Sequence, residues 1–203
     1  MKRTLLMTSL FAGLSMLSTG WAEEDVAARK AAAEAAAQSL MQDLGGRLKQ
    51  EMSAGGPQQA IAVCRDAAPQ IAGELSRANG WRVTRVSTKV RNPMLGTPDV
   101  WEQGVLAQFS ERVAKGESPA GMAHSEVVEE PSGQYFRYMK AIGVQGACLH
   151  CHGSDAQITD PVRAELKRHY PLDEGTGYSE GDLRGAVSIK QPMDIPLRAA
   201  KAP

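Results

Sequence analysis

Cys148, Leu149, His150, Cys151 and His152 stand in the chain as C-x-x-C-H. Two thiols separated by two residues lie about one turn of backbone apart, so both sulfurs can meet one edge of a flat ring. An imidazole directly after the second thiol falls under the ring's centre and can bind a metal there. These are the requirements of a covalent c-type haem, in which each thiol adds to a vinyl group and the histidine becomes the proximal iron ligand. With three cysteines and four histidines in 203 residues, the pattern arises by chance roughly once in a thousand such chains.

Other uses of the same residues fit less well. A thioredoxin-like redox pair wants a βαβ setting and has no need of His152. It also sits at a helix start, whereas Gly153-Ser154-Asp155-Ala156-Gln157 breaks a helix. A structural zinc site from Cys148, Cys151, His152 and Cys64 lacks a second closely spaced ligand pair. A disulfide between Cys148 and Cys151 would close a strained, tiny loop. The motif therefore predicts one covalent haem c.

The N-terminus supports that chemistry independently. Lys2 and Arg3 precede an apolar stretch from Leu5 to Leu17, and Gly20-Trp21-Ala22 places small residues at both cleavage-determining positions. Residues 1–22 thus read as a signal peptide cleaved after Ala22, with an uncleaved anchor as the alternative. The apolar run is short for a membrane span, and no later run is longer. The expected destination is the bacterial periplasm, where c-type haem is attached. Losing Lys2 and Arg3 leaves 21 basic against 23 acidic residues, a formal charge of −2. That balance gives no support to nucleic-acid binding. Residues 23–203 suit a single domain with a real core.

Several elements must position the motif. An alanine-dense helix starts after Glu23, and Leu40, Leu44, Leu48 and Met52 form one stripe, with a bend expected at Gly45-Gly46. Ser53 to Pro57 ends it. A second helix, from about Gln58 to Ala78, carries Ile61, Cys64, Ala68, Ile71 and Leu75 on one face. Pro69 cannot donate to the Arg65 carbonyl, which predicts a kink just after Cys64. Alternation from Trp81 to Val90 reads as one strand or two. Asp99 to Lys115 reads as a helix, and His124–Glu130 and Gln134–Ile142 as a hairpin turning at Pro131-Ser132-Gly133. A short helix, Asp160–His169, and a last strand, Leu183–Lys190, follow the motif. Helices first, then strands with helices inserted, argue for an α+β domain with an antiparallel sheet.

Further residues carry a resemblance. They are Ala62-Val63-Cys64 with Ala68-Pro69-Gln70, Arg91-Asn92-Pro93, Pro98-Asp99, Trp101-Glu102 and Tyr135-Phe136-Arg137-Tyr138. After the C-x-x-C-H motif come Tyr170-Pro171-Leu172-Asp173, Gly177-Tyr178, Gly181-Asp182 and Arg184-Gly185-Ala186. In this order they resemble a bacterial haem-binding domain family long filed as of unknown function, over nearly the whole chain after residue 22. The resemblance implies a PAS-like, five-stranded antiparallel sheet, a long kinked N-terminal helical segment and one covalent haem. It also implies that Cys64 is the second axial ligand opposite His152. Relatives occur as input domains of membrane-bound sensors and as free-standing exported proteins, and this chain resembles the second kind.

From the residues alone, Cys64 could equally be a buried inert thiol or form an intermolecular disulfide. Met94, Met122, Met139, Met193, His124 and His169 are other ligand candidates. Arg184, and more weakly Arg91, Arg137 and Tyr178, are candidates for a haem propionate. His150 has no expected role. The implied function is a redox or small-ligand (gas) sensor acting through a partner protein, with a low-potential electron carrier as the alternative. An enzyme comes third, because two protein ligands leave no open iron position.

Overall fold

The computed structural model describes residues 19–197. The expected signal peptide falls largely on residues outside that range. Helix α1 (Thr19–Ala62) takes up the alanine-dense stretch. Ala33, Ala36, Ala37, Leu40 and Leu44 are buried along one side, and their small leading side chains let the helix lie close on the sheet. The bend expected at Gly45-Gly46 does not form. Both glycines are exposed and remain helical, held between buried Leu44 and Leu48, which packs on the same core. The break comes at Gly56, where φ is 73° and Pro57 follows, a conformation that glycine alone adopts at little cost.

The kink expected after Cys64 takes the form of a π-turn, Val63–Ala67, in which the Ala68 N–H donates to the Val63 carbonyl. Pro69 cannot donate to Arg65, so the ladder widens by one residue here. Helix α2 (Ala68–Asn79) then runs to Gly80, whose left-handed φ of 75° ends it.

Four strands form the sheet: β1 (Arg82–Val86), β2 (Ala123–Glu130), β3 (Gly133–Gly143) and β4 (Leu183–Pro192). Every pairing is antiparallel, in the order β1-β4-β3-β2. The five strands implied by the resemblance are thus corrected to four among the described residues. Ser87 to Val90, the stretch that could have made a second strand after β1, is drawn off the ladder. The Ser87 N–H donates to Gly96 O, and its Oγ bonds the carbonyls of Lys89 and Arg184 at 3.0 and 2.8 Å. Asn92 then caps the short helix α3 (Pro93–Gly96). Gly185 makes this close approach possible, since a Cβ there would lie 2.2 Å from Val86 O.

Both faces of the sheet are covered. Val83, Phe136, Tyr138, Val187 and Ile189 meet α1 and α2. On the other face Met139, Ala141 and Ala186 meet α4 (Val100–Ala114) through Val105, Leu106 and Phe109. A capping box between Asp99 and Glu102 starts α4. Arg29 on α1 is 2% exposed and donates to the carbonyls of Pro192, Met193 and Ile195. No helix among the described residues is long and apolar enough to cross a membrane.

Candidate functional site

Strand β3 delivers the chain to a 3-10 turn, Gly146–Cys148, and a single helical turn, α5 (Leu149–His152). The Gly146 N–H donates to the Glu180 carboxylate, and Val144 exchanges backbone bonds with Gly181 and Asp182. These bonds fix the motif against the start of β4. Cys148 and Cys151 are unpaired, partly buried thiols. Cys151 packs against Ile61, Ile158, Val162, Leu166 and Tyr170, and burial pushes its thiol up to about 11. A redox dithiol needs a depressed value, so this site is ill suited to thioredoxin-like exchange. Among the described residues no three His, Cys, Asp or Glu side chains converge into an ion site.

His152 is held by its Nδ1, 2.6 Å from the Gly175 carbonyl. A carbonyl only accepts, so Nδ1 carries the proton and Nε2 keeps its lone pair. Burial, then the Arg91 and Arg184 cations, keep the imidazole well below the usual histidine range. The ring is thus neutral, as metal ligation requires. The segment after Asp173 runs alongside the motif: Gly177 N–H donates to Gly153 O and Tyr178 N–H to His152 O. The Tyr178 ring meets the imidazole edge-on at 6.3 Å between centroids.

Cys64 lies in the π-turn, partly buried and unpaired. It is near enough to Cys151 and Tyr170 to act on both electrostatically. Cys64 is thus brought near the second thiol of the motif. π-turns frequently mark functional positions, because the extra residue re-aims one side chain.

Cations surround the imidazole. Arg91 is 9% exposed, pairs with Asp173 at 3.0 Å, and donates to Cys151 O and Gly175 O. Arg184 donates through Nη1 to Ser87 Oγ at 2.7 Å and to Lys89 O at 3.2 Å. Its Nε lies 3.2 Å from His152 Nδ1, which is already committed to Gly175. Lys89 and Arg184 both sit over the Tyr178 ring, at 4.8 and 5.3 Å. Gly175 carries the arrangement. A Cβ on it would lie 3.0 Å from Arg184 Nη2 and 3.1 Å from Asp173 Oδ1. Gly175, Ser87, Lys89 and Asp173 were missed as site residues in the sequence. Only their place in a glycine-rich turn and a strand-ending polar run hinted at them.

Other candidates lie elsewhere. Arg137 is buried among Asp99, Glu102 and Glu130. Met122 and Met139 are in the core under α4, Met94 is 91% exposed, and Met193 packs against the α1 face. His124 pairs with Glu126, and His169 with Glu165 and Arg65. A cleft of about 450 Å³ is lined by Ile61, Ala62, Arg65, Glu165 and His169, and Cys64 is not part of its wall.

The residues present fit a c-type haem. Two free thiols share one turn, a neutral histidine has Nε2 free to ligate, and an apolar wall stands beside them. Cys148, Cys151 and His152 are the residues that would hold the group.

Fold and site together define an α+β protein with a long N-terminal helix, an antiparallel sheet and a C-x-x-C-H turn where its two central strands end and begin. The chain belongs to the Tll0287-like family, whose model (Tll0287) matches residues 21–192. Among solved structures it is similar to the crystal structure of the cyanobacterial heme-protein Tll0287. The two are 24% identical, with a TM-score of 0.61 over 87% of this chain and 98% of that one. No curated protein matches.

Proposed function

We propose that this chain is an exported haem protein carrying one haem c on Cys148 and Cys151, with His152 and Cys64 as axial ligands. The observation that carries the reading is the His152 Nδ1 bond to Gly175 O, which turns a lone pair outward at the end of a turn bearing two free thiols. Membership of a family that includes a heme-protein supports it. The group would supply one-electron chemistry. The protein's part is to hold it, shield it and set its potential. Signal cleavage after Ala22 and a periplasmic location belong to the same proposal, as does the PAS-like reading of the sheet. Helices inserted between β1 and the β2–β3 hairpin, with β4 returning beside β1, support that reading.

The role is redox or small-ligand sensing through a partner protein. Cys64 sits in the joint between α1 and α2, so a bond made or lost at its sulfur acts directly on the longest helix. A thiolate stabilises ferric iron and places the potential toward the negative end of the haem range. A low-potential electron carrier is the second reading. It requires the joint to stay fixed on reduction.

Peroxidase staining of the exported protein on a denaturing gel tests attachment, and Cys148→Ser or Cys151→Ser should disrupt it. Colourless protein from a host competent in c-type maturation would sink the proposal. Ferric electron paramagnetic resonance tests the ligands: a low-spin thiolate signal lost in Cys64→Ser is expected, and an unchanged spectrum assigns the sixth ligand elsewhere.

A further inference from the structure

Around His152 the charges do not balance. Arg91 has its partner in Asp173, but among the described residues no ion pair joins Arg85, Lys89 or Arg184 to a carboxylate. Burial, and then the nearby Arg91 and Arg85 cations, disfavour the charge on Arg184, and Lys89 shares the Tyr178 ring with it. Partly buried like charges repel, and such a group persists where an anion completes it.

Arg184 carries the clearest sign. Its Nη1 is satisfied by Ser87 and Lys89. Its Nε points at an imidazole nitrogen that already bears a proton, so nothing there can accept from it. No described residue accepts from Nη2, which lies against the bare Cα of Gly175. Nε faces the imidazole itself, so the N–H groups left to give are on Nη2, a charge-assisted donor of the kind that holds a carboxylate oxygen.

We infer that Arg184, flanked by Arg85 and Lys89, is a carboxylate receptor whose ligands are the propionates of the haem. This rests on the function proposed above. The porphyrin carries its two propionates on the edge opposite its vinyl groups, so their partners must lie away from the two cysteine sulfurs. Arg184 and Lys89 meet the motif through His152 and Tyr178 and make no hydrogen bond with Cys148 or Cys151. Two propionates supply two negative charges to a cluster in excess by three. Arg91 is left a structural role, holding the Gly175 carbonyl that positions His152.

The test compares haem-loaded wild type, Arg184→Gln and Arg184→Lys by resonance Raman spectroscopy. The propionate bending band should move in Arg184→Gln and return most of the way in Arg184→Lys, which restores the charge. The midpoint potential should fall in Arg184→Gln, because losing a nearby cation favours ferric iron. Haem stain and low-spin character should stay as in wild type. If Arg184→Gln fails to fold, Arg85→Gln and Lys89→Gln should each move the band by a smaller amount. A band unmoved in all three Gln variants overturns the inference. So does a wild-type spectrum perturbed by added acetate but not in Arg184→Gln, since the receptor would then take free carboxylates. Unstained wild type would instead sink the haem reading itself, a different result on a different measurement.

Discussion

Two groups of charges lie toward opposite ends of β4, and they are built on opposite rules. Under α4, Asp99, Glu102 and Glu130 face Arg82, Arg137 and Lys190, three acids against three bases. Arg137 reaches Asp99 at 2.7 Å, Glu130 at 3.2 Å and Glu102 at 3.3 Å. Lys190 pairs with Glu130, and Ser188 Oγ donates to Glu102 at 2.6 Å. The Trp101 ring covers the Arg137 guanidinium at 4.3 Å. Beside His152, by contrast, four cations share one carboxylate. A charge set that closes on itself holds two elements together, while one left open is shaped for something the chain does not contain.

That contrast can be broken at several points. Arg137→Ala should do the most damage, because it strands fully buried Glu102 without its main counter-charge. The expected loss is about 3–5 kcal/mol in urea denaturation. A variant that unfolds like wild type would mean the closed network holds nothing. Gly185→Ala strikes where β4 passes between the two groups. At φ 152° the new methyl would meet Val86 O, for a loss of about 1–3 kcal/mol. The same change should disturb Arg184 and hence the haem spectrum.

Asp99 tests the closed network by pH. Burial works to raise its carboxyl, but the Arg137 hydrogen bond, the Glu102 N–H and nearby cations outweigh that and hold it below the usual 3.8. A depressed value means the contribution is complete above the unfolded-state value. It is lost as pH falls through the folded-state value. Urea midpoints should therefore drop below about pH 4 in wild type, and less steeply in Asp99→Asn, which also loses about 1 kcal/mol of cap at neutral pH. The smallest effect belongs to the open cluster. Arg184→Gln should change unfolding by less than about 1 kcal/mol, since its loss strands no carboxylate among the described residues and relieves like-charge repulsion. A loss as large as that of Arg137→Ala would show that Arg184 is structural.

Much of this was legible in the sequence because it depends on local chemistry. The C-x-x-C-H turn, the proline after Cys64, the Asp99 cap and the hairpin at Gly133 each announce themselves within a few residues. The bend at Gly45-Gly46 was misjudged because glycine's weakness is local, while the packing of Leu44 and Leu48 against a distant sheet is not. The strand count went astray at Ser87, whose partners Gly96 and Arg184 come from two other segments. Gly175 stayed invisible for a related reason. Its contribution is a backbone carbonyl, and a carbonyl leaves no mark in side-chain patterns. Arg137 and Arg184 look alike in sequence, and only the number of acids around each tells a brace from a receptor.

The Arg29 guanidinium ties α1 to carbonyls 163 to 166 residues later. Helix α1 is thus fastened by the residues that close β4. The sheet is centred on β3 and β4, so the apolar face that α1 covers is incomplete until β4, far later in the chain, has been made. Contacts this distant in sequence make folding slow. Under the function proposed above, that lateness would keep the chain pliable through export and leave Cys148 and Cys151 reachable until β4 locks α1 down.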